Sequence, residues 1–294
     1  MFRIFILFCA LTLAGCSPHP ETRVAPPVSN PPPSQTVTKI IKPIPQTTKS
    51  IPPAPQPPEP HNLTKSRPVA PLAYQQAKRN GTTFSIVAYD DRRHQVRVAD
   101  QPNGLGSRWT TAQEAAATYG GLAAINGGFF TPAGGPLGLL IETGTKRGYL
   151  NKSSLGAGIF ISNKDRSAII RRETYTKSKD SWNAYNLLQT GPMLVENRRT
   201  ISGLSKTNSR PRSFIAWDGK NHWAIGHTSA CTLDQLSKAL AGKSPTGFKV
   251  HTAVNLDGGR SSDLWVSGKI SGGGKSHRGF FNKPVRNYLV LTRK

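Results

Sequence analysis

Seventeen of the 24 prolines in this 294-residue chain lie between Pro18 and Pro71. Proline fixes φ and lacks a backbone donor, so a stretch this rich in it neither continues a helix nor joins the interior of a sheet. The same stretch has no apolar run long enough to offset the entropy of ordering its backbone. Residues 17–71 therefore read as an extended tether, partly polyproline II. Any core must come from residues 72–294, which suffice for one sizeable domain.

The first 16 residues, MFRIFILFCALTLAGC, carry one Arg, a short apolar run and a small-residue ending. That is the layout of a secretory signal, too short to span a bilayer comfortably. Its end, Leu13-Ala14-Gly15-Cys16, resembles the lipobox of bacterial lipoproteins. The resemblance implies cleavage before Cys16, lipidation of Cys16, and a membrane partner reached through that anchor with the tether as spacer. It also implies a cell-envelope location, on the periplasmic face of the outer membrane where the host has two membranes. With Cys9 removed and Cys16 lipidated, only Cys231 remains in the body. No internal disulfide follows, and Cys231 reads as a buried structural thiol.

The formal charge is +24; residues 1–71 hold seven Lys or Arg against two Glu, so the body carries about +19. Such a field favours anionic partners. Export, and the lack of a basic run interleaved with aromatics, set nucleic acid aside in favour of phosphorylated glycans or lipids.

Within the body, TFSIVAYDD (83–91) and HQVRVAD (94–100) alternate apolar and polar residues about a charged turn, which predicts a β-hairpin. Thr111 with Glu114 predicts a capping box and a short helix ended by glycine. Further hairpins are predicted over 138–148, 156–172 and 212–228, and a helix over 232–242 capped by Thr232. Gly191-Pro192 breaks two apolar runs in a way that a central strand would not tolerate. NYLVLTR (287–293) closes the chain as a strand. Many strands with hairpin connections and few helices argue an α+β fold with a mixed, largely antiparallel β-sheet and a few flanking helices.

Two apolar runs collide with polar glycine turns: LAAINGGFF at Asn126-Gly127-Gly128, and AVNLDGGRSS at Asp257-Gly258-Gly259. Each alone reads as a plain turn. The succession AAINGGFF, GLLI, NLLQTGPMLVEN, RPRSFIA and AVNLDGGRSS closely resembles the phosphodiester glycosidase family over about residues 82–292. That resemblance implies an α+β fold that hydrolyses the bond between a sugar's anomeric carbon and a phosphodiester. It places Asp257, Asn255 and Arg212 at the chemistry, with Asn126, Gly127, Gly128, Gln189, Thr190, Gly191, Gly258, Gly259, Ser261 and Ser262 around the substrate. Arg260 stands where relatives commonly have a small residue, and would narrow or recharge the site.

The chemistry suits these residue types. A phosphate monoester leaving group, with a last pKa of about 6, departs with little protonation, unlike the alkoxide that ordinary glycosidases must protonate. The site needs instead to hold phosphate charge: Arg212 would clamp it, and glycine-turn N–H groups would point at it. Asp257 would serve as nucleophile, or as base toward water. A hard cation such as calcium would be held by Asp257, Asn255 and carbonyl oxygens. His222, His227 and His251 match no zinc spacing. The competing reading is a non-catalytic envelope lipoprotein that binds anionic glycan or lipid phosphates and has no use for Asp257.

Overall fold

A computed structural model describes residues 71–179 and 182–294. The signal segment (1–16), the lipidation site Cys16 and all but the last residue of the proline-rich stretch lie outside the described residues. In chain order the first elements are β1 (Ala73–Arg79), β2 (Thr82–Asp90), β3 (His94–Asp100), α1 (Ala112–Thr118) and β4 (Ala123–Asn126). Next come β5 (Leu140–Glu142), β6 (Thr145–Arg147), β7 (Gly158–Ser162), β8 (Ser167–Arg171) and α2 (Arg172–Ser178). They lead to β9 (Asn186–Thr190), β10 (Met193–Glu196), β11 (Arg199–Thr200), β12 (Arg210–Trp217) and β13 (His222–Cys231). The last are α3 (Leu233–Ala241), β14 (Thr252–Asn255), β15 (Asp263–Val266), β16 (Lys275–Arg278) and β17 (Asn287–Arg293).

The strands form three sheets, ordered β1-β2-β13-β12-β14-β10-β11, β16-β15-β4-β17-β3 and β6-β5-β9-β7-β8. The fold is α+β, as expected. Among the described residues its strand ladders are antiparallel, and a single isolated parallel bridge joins Ala73 to Ser271. One core lies between the sheets: Val87 and Ile225 from the first, Ile125 and Leu289 from the second, and Leu140, Phe160 and Leu188 from the third. The outer face of the first sheet is covered by Leu236 and Leu240 of α3, and that of the second by Ala112, Ala115 and Ala116 of α1. Strands covered on both faces bury nearly every residue, which is why LAAIN and NYLVLT run apolar without alternation.

The hairpin expected of residues 83–100 is not formed. Both strands exist, but β2 is flanked by β1 and β13, so it has no free edge, and β3 pairs with β17 in another sheet. The turn in which Arg93 N–H donates to the Asp90 carbonyl (3.2 Å) carries the chain from one sheet to the next. The cis Gly191-Pro192 peptide marks a similar passage, from β9 in the third sheet to β10 in the first. The other hairpins form as predicted.

Thr232 and Gln235 close a full capping box on α3. On α1 the box is half made: Thr111 accepts from Glu114 N–H, but the Glu114 carboxylate turns to Thr110 N–H (2.7 Å). Helix α2 has no buried residue, so no apolar stripe announced it.

Candidate active site

The strands that carry the two glycine turns belong to different sheets, yet their ends meet. Asp257 N–H donates to the Gly127 carbonyl (2.9 Å), and Asn126 Nδ2 donates to the Asp257 carbonyl (2.6 Å). Asn126 Oδ1 accepts from Ser213 Oγ (2.6 Å) and from Asp263 N–H (3.0 Å). One buried amide thus ties the end of β4 to β12 and to the start of β15 and clamps the Asp257 backbone. Thr190, at the end of β9, donates its hydroxyl to the Asn255 carbonyl (2.9 Å). Strand ends from all three sheets therefore converge at the Asp257 turn.

Asp257 itself is half-buried. Removal from water pushes its carboxyl above the usual value, against opposing help from the Ser261 hydroxyl, the Gly258 N–H (2.8 Å) and the charge of Arg210. Arg212 is 6% exposed, yet among the described residues no carboxylate pairs with it. Its Nε donates to the Cys231 carbonyl (3.1 Å) and its Nη2 to the Asn208 carbonyl. Its Nη1 faces the turn, 3.7 Å from where a Cβ on Gly258 would stand. Burial lowers its pKa, as does the neighbouring Arg210. A buried guanidinium satisfied only by carbonyls keeps its charge uncompensated and is a natural seat for an anion.

Other expected site residues are committed to the scaffold. Gln189 spends its whole amide: Oε1 accepts from Leu139 and Asn151 N–H, and Nε2 donates to the Asn151 and Gly156 carbonyls. The N–H groups of Gly127 and Gly128 are taken by the carbonyl and side-chain oxygen of Asn287 (2.8 and 2.7 Å), and that of Gly258 by Asp257. The anion-binding glycine N–H groups expected from the sequence are thus not free at these three positions. Gly191 lends its carbonyl to Asn255 Nδ2 (3.0 Å), and Ser262 Oγ donates to the Pro211 carbonyl (3.2 Å). Gly259 has φ +64°, which lets the chain turn sharply after Asp257.

Asn255 does not fit the calcium site expected of it. Its Nδ2 caps the Gly191 and Leu256 carbonyls, and Asn126 caps the Asp257 carbonyl, so each of these oxygens already accepts an N–H donor. Asn255 Oδ1 is buried without a partner, a single acceptor rather than a cage. The histidines do not gather either. His222 lies near Asp90 and Asp218, His251 bonds Thr252, and His227 stacks on His277 (5.7 Å). Among the described residues there is no group of three or more His, Cys, Asp or Glu placed to hold a metal. Arg260 is exposed, with its Nε on the Phe281 carbonyl (3.0 Å). Cys231 is a buried free thiol, as expected.

Four contributors escaped sequence reasoning: Arg210, Ser213, Asp263 and Asn287. Asp263 is buried, accepts from Ala112 N–H at the start of α1 (2.9 Å) and pairs with Arg278 (2.7 Å). Asp263 and Asn287 each open an apolar strand, and a polar residue in that position was the available signal. Beside the turn, Pro211, Gly259, Ser262, His277, Arg278 and Asn282 help line a cavity of about 350 Å³.

The sequence pattern of the phosphodiester glycosidases matches residues 119–292, more than half of the chain and every residue of the convergence from Asn126 to Asn287. The chain belongs to the phosphodiester glycosidase family. None of the curated proteins matches the sequence. Among solved structures, the family fold is seen in zebrafish N-acetylglucosamine-1-phosphodiester alpha-N-acetylglucosaminidase, a catalytic domain auto-inhibited by its pro-peptide. That match has a TM-score of 0.55 and 17% identity, and covers 78% of this chain and 85% of that one. A hypothetical protein from Synechocystis is similar at a TM-score of 0.51 and 14% identity, over 75% of this chain and 61% of that one. At such identities the likeness is one of fold. Within it, this phosphodiester glycosidase domain places the Asp257 turn where its three sheets meet.

Proposed function

We propose that the protein is a hydrolase that cleaves the bond between a sugar's anomeric carbon and a phosphodiester in cell-envelope glycans or glycolipids. Family membership supports the class of substrate. The observation that carries the reading is the pairing of Arg212, a buried cation without a carboxylate, with Asp257, a half-buried carboxylate displayed on the turn that Arg212 faces.

In this reading Arg212 holds the phosphate oxygens, and Arg210 adds positive charge at the rim. The phosphate leaves as a monoester dianion or monoanion, so no strong general acid is required. Asp257, whose carboxyl is held by Gly258 N–H and Ser261, attacks the anomeric carbon or takes a proton from the attacking water. Its raised pKa makes it a stronger base than an exposed carboxylate. Asn126 is a positioning residue: it fixes the backbone on which the carboxylate stands.

The test is release of free sugar with phosphate monoester from a panel of sugar-1-phosphodiesters, or with UDP from UDP-N-acetylglucosamine, by the native chain and by Asp257→Asn. Turnover by the native chain and its loss in the variant are expected. Saturable binding without turnover across the panel would instead support a non-catalytic binder of anionic glycans, which uses Arg212 but not Asp257.

A further inference from the structure

The turn Gly279–Asn282 is closed by Asn282 N–H on the Gly279 carbonyl (3.1 Å), and its two central residues are Phe280 and Phe281. Tight turns usually place Gly, Asn, Asp, Pro or Ser at those positions. Here two phenyl rings, 96% and 74% exposed, stand edge to face with centroids 5.1 Å apart and pack into none of the hydrophobic clusters of the described residues.

Three hydrogen bonds mount the turn on the chain that follows Asp257. Arg260 Nε donates to the Phe281 carbonyl, Lys283 N–H donates to the Arg260 carbonyl (3.2 Å), and Asn282 Nδ2 donates to the Ser262 carbonyl. The aromatic tip is therefore bolted to the segment that follows Asp257. Of the cations nearest it in sequence, Arg278 pairs with Asp263 and Arg286 with Asp100, which leaves Lys283 beside the tip and Arg260 across its mount. Exposed Arg260 and Lys283 flank the rings, and among the described residues neither pairs with a carboxylate.

We propose that the Phe280-Phe281 tip inserts into the interface of an anionic lipid bilayer, with Arg260 and Lys283 on the headgroups. Two apolar rings presented together gain by leaving water, and the exposed charges of Arg260 and Lys283 direct them to a negatively charged surface. Because the tip is joined to the Asp257 segment, docking would hold the candidate active site beside the membrane. The proposal does not rest on the glycosidase reading, and its test involves no turnover.

The experiment is brominated-lipid quenching of the full chain carrying Phe280→Trp, with the unsubstituted chain as background and Phe281→Trp as a second reporter. On vesicles of phosphatidylcholine with phosphatidylglycerol, the added emission should fall by at least about twofold, recover in high salt, and recover when Arg260→Glu and Lys283→Glu are introduced together. Vesicles of phosphatidylcholine alone should quench it much less. Unquenched emission on the anionic vesicles overturns the proposal. So does protection of the reporter from acrylamide before lipid is added, which would show that another part of this chain already covers the tip. Equal protection by a soluble anionic polysaccharide would overturn it too.

Discussion

The chain writes nearly the same phrase twice, an apolar strand running into Asn-Gly-Gly at 126–128 and into Asp-Gly-Gly at 257–259, and the fold uses the two oppositely. The first turn is buttress. Asn126 is wholly buried with its amide spent on three elements, and Gly127 and Gly128 lie so close to Asn287 that a Cβ on Gly127 would stand 2.0 Å from Asn287 Oδ1. The second turn is display. Asp257 is half-buried, its carboxylate held by the turn's own Gly258 N–H and Ser261, with the uncompensated charge of Arg212 facing the same turn. A strand-to-glycine collision thus announces a close approach of backbones but not which partner braces and which presents.

That contrast breaks most visibly in stability. Gly127→Ala should cost more than about 3 kcal/mol or abolish folding, because Asn287 must move and release two N–H groups. Gly259→Ala should cost only about 1 kcal/mol, since its Cβ would meet Arg210 at 3.4 Å and the penalty is mainly the left-handed φ. Equal shifts in the urea midpoint would erase the distinction between buttress and display.

Activity sharpens the same contrast. Asp257→Asn should lower kcat on a sugar-1-phosphodiester by on the order of a thousandfold while the fold persists. The substitution should hold or raise stability at neutral pH. Burial lifts the folded-state pKa above the unfolded one, so the native state retains the extra proton, and stability falls as pH rises through that window. Asparagine cannot ionise and removes that fall. Denaturation of both proteins at acidic and neutral pH measures it, and a variant less stable only at neutral pH would contradict the assignment.

Arg212→Lys should cost about 1–3 kcal/mol of stability and, in the protein that still folds, reduce kcat/KM by roughly a hundredfold, because an ammonium cannot hold two backbone carbonyls and still offer a planar donor to phosphate. A change confined to the thermal midpoint would make Arg212 a strut. The smallest effect is on the pH profile. If Asp257 acts as its carboxylate, activity should be lost on acidification with an apparent pKa above the ordinary carboxylate value of 3.8, and this limb should disappear in whatever residual activity Asp257→Asn retains.

Much of the fold was readable because its signals are local. Two-residue turns, caps at Thr111 and Thr232, and the apolar runs of β4, β14 and β17 each follow from near neighbours in the chain. The 83–100 hairpin misled for the same reason: turn chemistry shows that the chain reverses, not whether the edges of β2 are already occupied. Helix α2, without a buried face, gave no periodic signal at all. Among site residues, Asp257 and Asn126 were legible as polar residues interrupting apolar runs and Arg212 through the family motif, whereas Arg210, Ser213, Asp263 and Asn287 matter through partners more than 40 positions away.

By itself the sequence determined many of the strands, and that a carboxylate and two glycine turns stand where apolar runs stop, because propensity, capping and apolar runs act over a few residues. Tertiary structure alone decided that strand ends from three sheets share one point, that Gln189 and the first glycine turn spend their polar groups on the scaffold, and that two phenylalanines reach water on a turn tied to the segment after Asp257. Those outcomes depend on which distant donor meets which acceptor, and hydrogen bonds across sheets leave no local trace in the chain.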